Sequence, residues 1–358
     1  MKVLSVESRV EAFGLTRPYT IAFRRIESVK NVILRIETDS GLAGSGAASP
    51  EPRVTGETME ACRAALAPRR LAWLRGRDVR DLESLGRELD GRFSNAPAAR
   101  AAVDMALHDL AAQGLGIGLV EMLGRAHESL PTSITIGIKP LAETLEEAEE
   151  YLARGFRVLK VKIGLDLGED LERLIRLRER VGPGVGIRAD ANQGYSVADV
   201  LRFFRETESL GLEFLEQPLP ADAVEAMRGL PESVRDRIAA DESLLNEDDA
   251  RALAAPPRAC GIFNIKLMKC GGIVPARRIA TIAEAAGIHL MWGCMDESRI
   301  AIAAALHAAF SCPATRYLDL DGSLDLARDV AEEGFVLQDG IMRTSGAPGL
   351  GVRAADAG

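Results

Sequence analysis

Charged residues recur at the ends of short apolar segments in the middle of the chain, at a spacing that could bring them together. These ends fall about 25 to 28 residues apart, at Lys162, Asp190, Glu216, Asp241 and Lys266. The interval fits one strand, one helix and two loops, which is the repeating unit of a (β/α) barrel. Because the strands of such a barrel are parallel, their carboxyl ends open onto one face. We therefore expect the five side chains to converge on that face.

Three of these residues, Asp190, Glu216 and Asp241, carry carboxylates that could bind a metal ion. Carboxylates gathered in one place repel each other and cannot all stay ionised without a cation. A set of oxygen ligands suits Mg²⁺ or Mn²⁺, whereas Zn²⁺ prefers His and Cys. One charged residue after a strand is commonly an ordinary loop residue, so the prediction depends on the repetition over consecutive strand ends.

The two lysines that flank the carboxylates, Lys162 and Lys266, predict proton transfer at carbon. Removing a proton next to a carboxylate produces an enediolate, and a bound cation stabilises that charge as it forms. A lysine base must be neutral, and positive charge from Lys160 or from the metal lowers its pKa. Two bases on opposite sides can remove a proton from one face and return one to the other, which inverts a stereocentre. Lys269 is expected to be an early-helix residue rather than a base.

An alternative is that Lys160 and Lys162 belong to a solvated strand. Residues i and i+2 of a strand share a face, and two lysines directed into a barrel are costly unless they are used. The functional interpretation is therefore favoured.

Composition limits the class of protein. The chain has 358 residues, which suits one or two domains, and its net charge of −9 argues against nucleic-acid binding. The amino terminus lacks a signal-like apolar segment and no apolar run approaches membrane-spanning length, so a soluble cytoplasmic protein is expected. The five cysteines are odd in number and lack metal-binding spacing, which favours free thiols in a reducing compartment.

The elements that must position these residues divide into three parts. Residues 1–118 predict an α+β domain, with three strands followed by helices and with a loop at 20–30 between the first two strands. Residues 119–324 predict the barrel, in which the last strand is not followed by a standard helix. Residues 325–358 become glycine-rich with short strands and are expected to return to the first domain.

Motifs at the strand ends resemble those of the enolase superfamily and, within it, the muconate-lactonising subgroup. The matching segments are Lys160-Val161-Lys162, Asp190-Ala191-Asn192, Glu216-Gln217-Pro218, Asp241-Glu242-Ser243 and Asn264-Ile265-Lys266-Leu267-Met268-Lys269-Cys270-Gly271-Gly272. The resemblance covers nearly the whole chain. It implies a modified TIM barrel of the (β/α)7β type with an N-terminal α+β capping domain. It also implies Mg²⁺ on the three carboxylates, supported by the neighbouring Asn192 and Glu242.

The segment Asp319-Leu320-Asp321 is similar to that of dipeptide epimerases, in particular the Ala-Glu epimerases. Two carboxylates on one face make a cation site, and the resemblance implies that they bind the free amino terminus of a dipeptide. It further implies that Lys160 and Mg²⁺ hold the substrate carboxylate, with Thr135 as a weaker candidate for substrate contact. The implied activity is a dipeptide epimerase, an isomerase that inverts the α-carbon of the C-terminal residue through the two lysine bases.

The side chains of the preferred dipeptide are left open between two classes. Arg24 falls where Ala-Glu epimerases carry an arginine that pairs with the glutamate of the substrate, although Arg25 stands beside it. Against this, Glu51 and Asp296 add two carboxylates, the latter where an apolar residue is more usual. If both face the pocket, a dipeptide with Arg or Lys is favoured. Otherwise Glu51 is exposed and Asp296 hydrogen-bonds to a neighbouring loop.

Two other activities compete with the epimerase. An o-succinylbenzoate synthase or N-acylamino acid racemase of the same superfamily would act on substrates without a free amine, and Asp319 and Asp321 would then lack a cationic partner. A non-catalytic barrel that only binds a ligand would make no use of the two lysines. Apart from a small-molecule substrate, neither nucleic acid nor membrane is expected as a partner. A homo-oligomer is compatible with the sequence, which does not determine the oligomeric state.

Overall fold

The computed structural model describes residues 1–21 and 24–355 and begins with an antiparallel sheet. Its three strands, in the order β1-β2-β3, are Val3–Ile21, Arg24–Thr38 and Ala43–Ala48. The loop expected at 20–30 is wrong, because β1 and β2 continue as a long two-stranded ribbon. Pairing resumes at Tyr19 and Ile26 after an irregularity beyond Gly14 and Ser28. Backbone pairing across the ribbon therefore outweighs the turn-like residues around Pro18.

Four α-helices follow, and one of them packs closely on the sheet. They are α1 (Met59–Ala65), α2 (Leu82–Arg92), α3 (Pro97–Leu115) and α4 (Leu119–Leu123). A Cβ added at Gly44 or Gly46 of β3 would collide with the backbone carbonyls of Ala106 or Ala102 in α3. Only glycine permits this approach, which locks β3 and α3 together.

The second sheet has eight parallel strands that pair in chain order, after a short strand β4 (Leu130–Pro131). The strands are β5 (Ile134–Ile136), β6 (Val158–Lys162), β7 (Gly186–Asp190), β8 (Leu215–Glu216), β9 (Ile238–Ala240), β10 (Ile262–Ile265), β11 (His289–Gly293) and β12 (Thr315–Asp319). A parallel bridge joins Thr132 to Leu318, and Ser133 N–H donates to Leu318 O at 3.0 Å. The first and last strands therefore meet and close the barrel.

Helices connect successive barrel strands on the outside. They are α5 (Leu141–Ala153), α6 (Leu167–Val181), α7 (Val197–Glu206), α8 (Val224–Arg228), α9 (Glu232–Arg235), α10 (Glu247–Ala254), α11 (Leu267–Cys270), α12 (Ile273–Ala285) and α13 (Arg299–Phe310). After β12 the chain continues into short strands rather than a helix, which confirms the expected (β/α)7β barrel with an N-terminal capping domain. In the described residues no helix is long and apolar enough to cross a membrane.

The C-terminal segment packs back against the first part of the chain. It contains β13 (Ala331–Glu333), β14 (Phe335–Gln338), β15 (Ile341–Thr344) and β16 (Val352–Ala354). Leu350 N–H donates to Asp109 Oδ1 of α3 at 2.9 Å, and His307 of α13 accepts the Val120 N–H at 2.9 Å. The C-terminal segment is thus tied to α3, and α4 is tied to α13. The boundaries proposed at residues 118 and 324 stay predictions.

Candidate active site

The three predicted metal-binding carboxylates lie buried at the carboxyl ends of adjacent strands. Asp190 ends β7, Glu216 ends β8 and Asp241 follows β9 directly. In the sheet register Asp190 is paired with Glu216 on one side and with Lys162 of β6 on the other. The spacing of the strands therefore brings these residues to one face, as expected.

Lys160 is a buried cation at the centre of this group. Its Nζ lies 3.1 Å from Asp190 Oδ2, 2.8 Å from Glu216 Oε2 and 2.8 Å from Asp319 Oδ2. Burial lowers the pKa of Lys160, but the charges of these carboxylates outweigh it and hold that pKa well above its usual value. Lys160 is therefore a fixed positive charge rather than a base.

The two candidate bases stand on opposite walls of the barrel. Lys162 ends β6 and Lys266 follows β10, so three strands separate them in a barrel of eight. Lys162 Nζ donates to Asp190 Oδ2 at 2.7 Å and to Asn192 Oδ1 at 3.1 Å, while Lys266 Nζ donates to Asp241 Oδ2 at 2.7 Å. Burial lowers the pKa of Lys266, but the charge of Asp241 outweighs it and raises that pKa.

Lys269 belongs to the site in a way that the sequence analysis missed. It lies on α11, as expected, but its buried Nζ donates to Asp241 O at 2.6 Å, to Asn264 O at 3.0 Å and to Asp241 Oδ1. Each carboxylate oxygen of Asp241 thus accepts a hydrogen bond from one ammonium group, Oδ1 from Lys269 and Oδ2 from Lys266. The spacing of three residues on a helix, which returns a side chain to nearly the same face, is the pattern that could have indicated this.

Neutral amides hold the strand ends in place. Gln217 has a φ of 33°, and its Oε1 accepts the backbone N–H groups of Asp241 at 2.9 Å and of Ser243 at 3.1 Å. Asn192 donates through Nδ2 to Glu242 Oε1 at 3.2 Å. Burial and the charge of Asp241 raise the pKa of Glu242. Asn192 and Glu242 therefore form a polar pair beside the carboxylates, and their support of a bound metal stays a prediction.

Gly293, at the end of β11, leaves room for the side chains of Asn264 in β10 and of Lys266, which follows β10. Asn264 Nδ2 donates to Glu216 Oε1 at 2.8 Å. A Cβ added at Gly293 would lie 2.6 Å from Asn264 Oδ1 and 3.1 Å from Lys266 Cε. Any larger residue would therefore displace the amide that orients Glu216 and the side chain of Lys266.

The chemistry of this donor set fits a hard divalent cation such as Mg²⁺. Burial and the charge of Asp190 raise the pKa of Glu216 to about 7, as expected for carboxylates held close together. Glu216 Oε2 accepts no hydrogen bond although Lys160 Nζ is near. Among the described residues, no three His, Cys, Asp or Glu side chains are already grouped around one point. Metal binding would therefore require Asp190 and Asp241 to exchange ammonium contacts for the cation.

Asp319 and Asp321 form a second acidic group at the end of β12. Asp319 Oδ1 accepts the Ser133 hydroxyl at 2.5 Å and Oδ2 accepts Lys160, whereas Asp321 Oδ2 accepts the Thr135 backbone N–H at 2.8 Å. Burial and the charge of Asp319 raise the pKa of Asp321 to about 7. A cation bound beside Asp321 would stabilise its ionised form. Thr135 thus supports Asp321 through its backbone.

Arg188 supports this group from inside the barrel and was not singled out from the sequence. Its buried guanidinium donates to Leu318 O at 2.6 Å and to the Ser133 hydroxyl at 3.2 Å. It also lies over the rings of Phe214 and Tyr317, 5.5 and 5.1 Å from their centroids. Ser133 therefore links Arg188 to Asp319.

The candidate specificity residues are placed unevenly. Asp296 and Glu51 are both half-buried, so Glu51 is not an exposed surface residue. The loop that carries Asp296 packs on the β12 end, since the Cys294 thiol lies 3.3 Å from Asp319 O and 4.0 Å from Asp321 Oδ1. The side chain of Arg24 lies outside the part of the chain that the structure describes.

Two family models match the chain. The mandelate racemase / muconate lactonizing enzyme N-terminal domain matches residues 5–124, and the enolase C-terminal domain-like family matches residues 143–357.

Known proteins match over almost the full length. The chain is 65% identical to an L-Lys-D/L-Arg epimerase of Methylococcus capsulatus, with 98% of this chain and 99% of that protein covered. It is 55% identical to an L-Lys-D/L-Arg epimerase of Desulforapulum autotrophicum, with 99% of each covered. A crystal structure of a dipeptide epimerase from Methylococcus capsulatus, complexed with Mg and the dipeptide L-Arg-D-Lys, superposes with a TM-score of 0.97 over 98% of this chain and 99% of that chain, at 65% identity.

Proposed function

Since this chain belongs to the enolase superfamily, we propose that it is a magnesium-dependent dipeptide epimerase, an isomerase that inverts the α-carbon of the C-terminal residue of its substrate. The observation that carries the proposal is the placement of Lys162 and Lys266 on opposite walls of the barrel, with buried carboxylates between them. Such a pair can reach both faces of one carbon. A reaction that acts on one face needs a single base.

The metal would be held by Asp190, Glu216 and Asp241. When bound, it supplies positive charge at the substrate carboxylate, where negative charge develops as the α-proton leaves. Lys160 adds a fixed positive charge on the same side, since its ammonium is buried among carboxylates and stays protonated. The substrate carboxylate is therefore drawn to this end of the site.

Proton transfer falls to the two lysines. One lysine removes the α-proton, and the other donates a proton to the opposite face of the planar enediolate. Lys266 is held cationic by Asp241 at 2.7 Å, so weakening that ion pair favours its neutral form. Lys162 is similarly paired with Asp190 at 2.7 Å. Both bases thus share a partner with the proposed metal site, and the two functions are linked.

The amino terminus of the dipeptide would bind between Asp319 and Asp321. A free ammonium group there neutralises two adjacent carboxylates that otherwise repel each other. An N-acylated substrate, as used by an o-succinylbenzoate synthase or N-acylamino acid racemase, has no terminal ammonium group to place between them. This acidic pair, in which Asp319 is buried and Asp321 half-buried, therefore favours the dipeptide over these alternatives. A barrel that only binds a ligand would not need the two lysines.

For the side chains, we favour dipeptides that contain Arg or Lys. Asp296 and Glu51 supply carboxylates that are only half-buried, and Asp296 lies on the loop that packs beside Asp319. The names of the two relatives at 65% and 55% identity support the same class. An Ala-Glu substrate would bring its own carboxylate into this acidic region, which costs binding energy.

A dipeptide library incubated in deuterated water tests the proposal. With Mg²⁺ present, deuterium should appear at the α-carbon of the C-terminal residue, fastest for cationic dipeptides, and chelation of the metal should stop it. Asp296→Leu should shift the preference toward neutral or acidic dipeptides. Absence of exchange with every dipeptide would reject the activity, and an unchanged profile in Asp296→Leu would reject this basis for specificity.

A further inference from the structure

The two specificity carboxylates proposed above lie on separate parts of the fold that meet through two small polar side chains. Glu51 opens the turn at 51–55 after β3, whereas Asp296 lies in the loop at 294–298 between β11 and α13. Asn31 of β2 and Ser49, which follows β3, both donate hydrogen bonds to the backbone of Asp296, and Ser49 is two residues from Glu51. Both side chains are buried.

Asn31 hydrogen-bonds to the backbone of the 294–298 loop through both the nitrogen and the oxygen of its side-chain amide. Its Nδ2 donates to Asp296 O at 3.2 Å, and its Oδ1 accepts the Ser298 N–H at 2.8 Å. A fully buried amide on a strand is costly unless it is hydrogen-bonded, so these two bonds account for an Asn at this position. The loop is thereby fixed to the antiparallel sheet.

Ser49 connects the same loop with the other side of the site. Its hydroxyl donates to Asp296 O at 3.0 Å, and its backbone N–H donates to Met268 Sδ at 3.3 Å. Ser49 stands two residues before Glu51, so the position of its backbone sets where the 51–55 turn begins. Ser49 thus contacts both the Asp296 loop and helix α11, and it lies next to the turn that begins at Glu51.

Helix α13 has its own anchor, which separates its stability from that of the loop. Ser298 Oγ donates to Asp329 Oδ1 at 2.7 Å and caps the helix through the Ile300 N–H. The Arg299 N–H also donates to Asp329, at 2.6 Å. Loss of Asn31 should therefore loosen residues 294–297 more than the helix.

We propose that Asn31 and Ser49 are positioning residues for substrate specificity. They hold the loop of Asp296 and the turn of Glu51 in one fixed relation, so that both carboxylates meet the cationic side chains of the substrate. This inference rests on the proposed function and deepens it. It assigns to two neutral residues of the antiparallel sheet a role in choosing the substrate, without a role in proton transfer.

The test compares Asn31→Ala and Ser49→Ala with Ser28→Ala, a control at an exposed position of the same sheet. The readout is the ratio of kcat/KM for an Arg- or Lys-containing dipeptide to that for a neutral dipeptide. Losing hydrogen bonds to the loop should lower this ratio about tenfold in Asn31→Ala and about threefold in Ser49→Ala. The control should leave it unchanged, and kcat on the neutral dipeptide should stay within about threefold in all three variants.

A double-mutant cycle distinguishes positioning from a general structural effect. If Asn31 acts through Asp296, Asn31→Ala should not lower the ratio further in an Asp296→Leu background. Equal losses for both substrates, or a full additional loss in that background, would overturn the inference.

Hydrogen–deuterium exchange gives a readout that does not need activity. Residues 294–297 should lose protection in Asn31→Ala while α13 keeps it, and unchanged protection would overturn the inference. A wild-type protein that exchanges the α-proton of no dipeptide would instead reject the proposed function, and the backbone exchange would still show whether Asn31 holds the loop.

Discussion

Replacing Gly293 by Ala should impair catalysis while leaving the fold intact. The new Cβ would lie 2.6 Å from Asn264 Oδ1, whereas an ordinary C–H···O contact is about 3.3 Å. Asn264 must therefore move by roughly 0.7 Å, and its 2.8 Å hydrogen bond to Glu216 moves with it. Lys266 Cε, 3.1 Å from the added atom, is pushed as well.

The size of the effect follows from this displacement. A misplacement of 1 Å at an active site can cost about a hundredfold in rate, so a shift of roughly 0.7 Å predicts a 10- to 100-fold loss of kcat. That range corresponds to about 1.4 to 2.7 kcal/mol in the barrier. The cost to folding should be about 1 to 3 kcal/mol, as for other overpacked sites, which leaves the protein folded.

Gly137→Ala is the matched control, because Gly137 also follows a barrel strand but a Cβ there meets no atom within 4 Å. Rates of α-deuterium incorporation, measured by NMR, give kcat, and chemical denaturation gives the free energy of unfolding. Gly137→Ala should keep kcat within about twofold. If Gly293→Ala kept kcat within threefold of wild type, or if the control lost as much, the claim that Gly293 makes room for Asn264 and Lys266 would be refuted.

Three further variants test separate parts of the site and the fold. Lys266→Ala should reduce epimerisation about 10³-fold, yet one epimer of the substrate should still exchange its α-proton through the remaining base, Lys162. NMR in deuterated water would show this exchange. Equal loss of exchange for both epimers would contradict the two-base arrangement. Asp321→Asn should lower kcat/KM for free-amine dipeptides at least 30-fold in steady-state kinetics, whereas equal activity on free and N-acetylated dipeptides would contradict an amino-terminal site. Burial lowers the pKa of His307 to about 4 from its usual 6.5. Between these two pH values the unfolded chain binds a proton that the native protein does not. The free energy of unfolding should therefore fall by about 3 kcal/mol as the pH drops from 6.5 to 4. Urea denaturation of His307→Gln should lack this slope, and the same slope in both proteins would assign it to other groups.

The strand-end residues were predictable because their positions depend on local spacing alone. A repeat of strand and helix fixes where each strand ends, so Asp190, Glu216 and Asp241 had to open onto one face. Lys162 and Lys266 followed from the same spacing. Their residue types then limited the chemistry to a hard cation and proton transfer.

Residues that act through distant contacts were missed. Arg188 points into the barrel core, and only the closed barrel brings it to Ser133. Gln217 and Asn264 lie in the motifs that the sequence analysis quoted, but they were given no role, because a neutral amide gives no reason by itself to place it beside carboxylates. Lys269 was expected to serve only as a helix residue because the ion pair with Asp241 depends on how α11 packs.

The ribbon of β1 and β2 and the loop at 294–298 were also not predictable from local sequence patterns. The loop expected at 20–30 was wrong because pairing between β1 and β2 is decided by the whole ribbon and not by the turn-like residues within it. The contact of Asn31 with the Asp296 loop joins residues far apart in the chain. No periodicity in the sequence indicates such a contact.

In the described residues no helix follows β12, so the chain leaves the barrel directly from the end of its last strand. The polypeptide leaves the barrel on the same side as its catalytic face, and within a few residues it reaches the ribbon, where Thr16 N–H donates to Asp325 O and Ala327 N–H donates to Gly14 O. The segment from Asp321 to Asp325 is thus a short tether between the carboxylates that we propose bind the substrate ammonium and the ribbon. On that proposal, lengthening the segment would disturb recognition of the amine and the packing of the ribbon together, which makes it a natural place to re-engineer this scaffold for larger peptides.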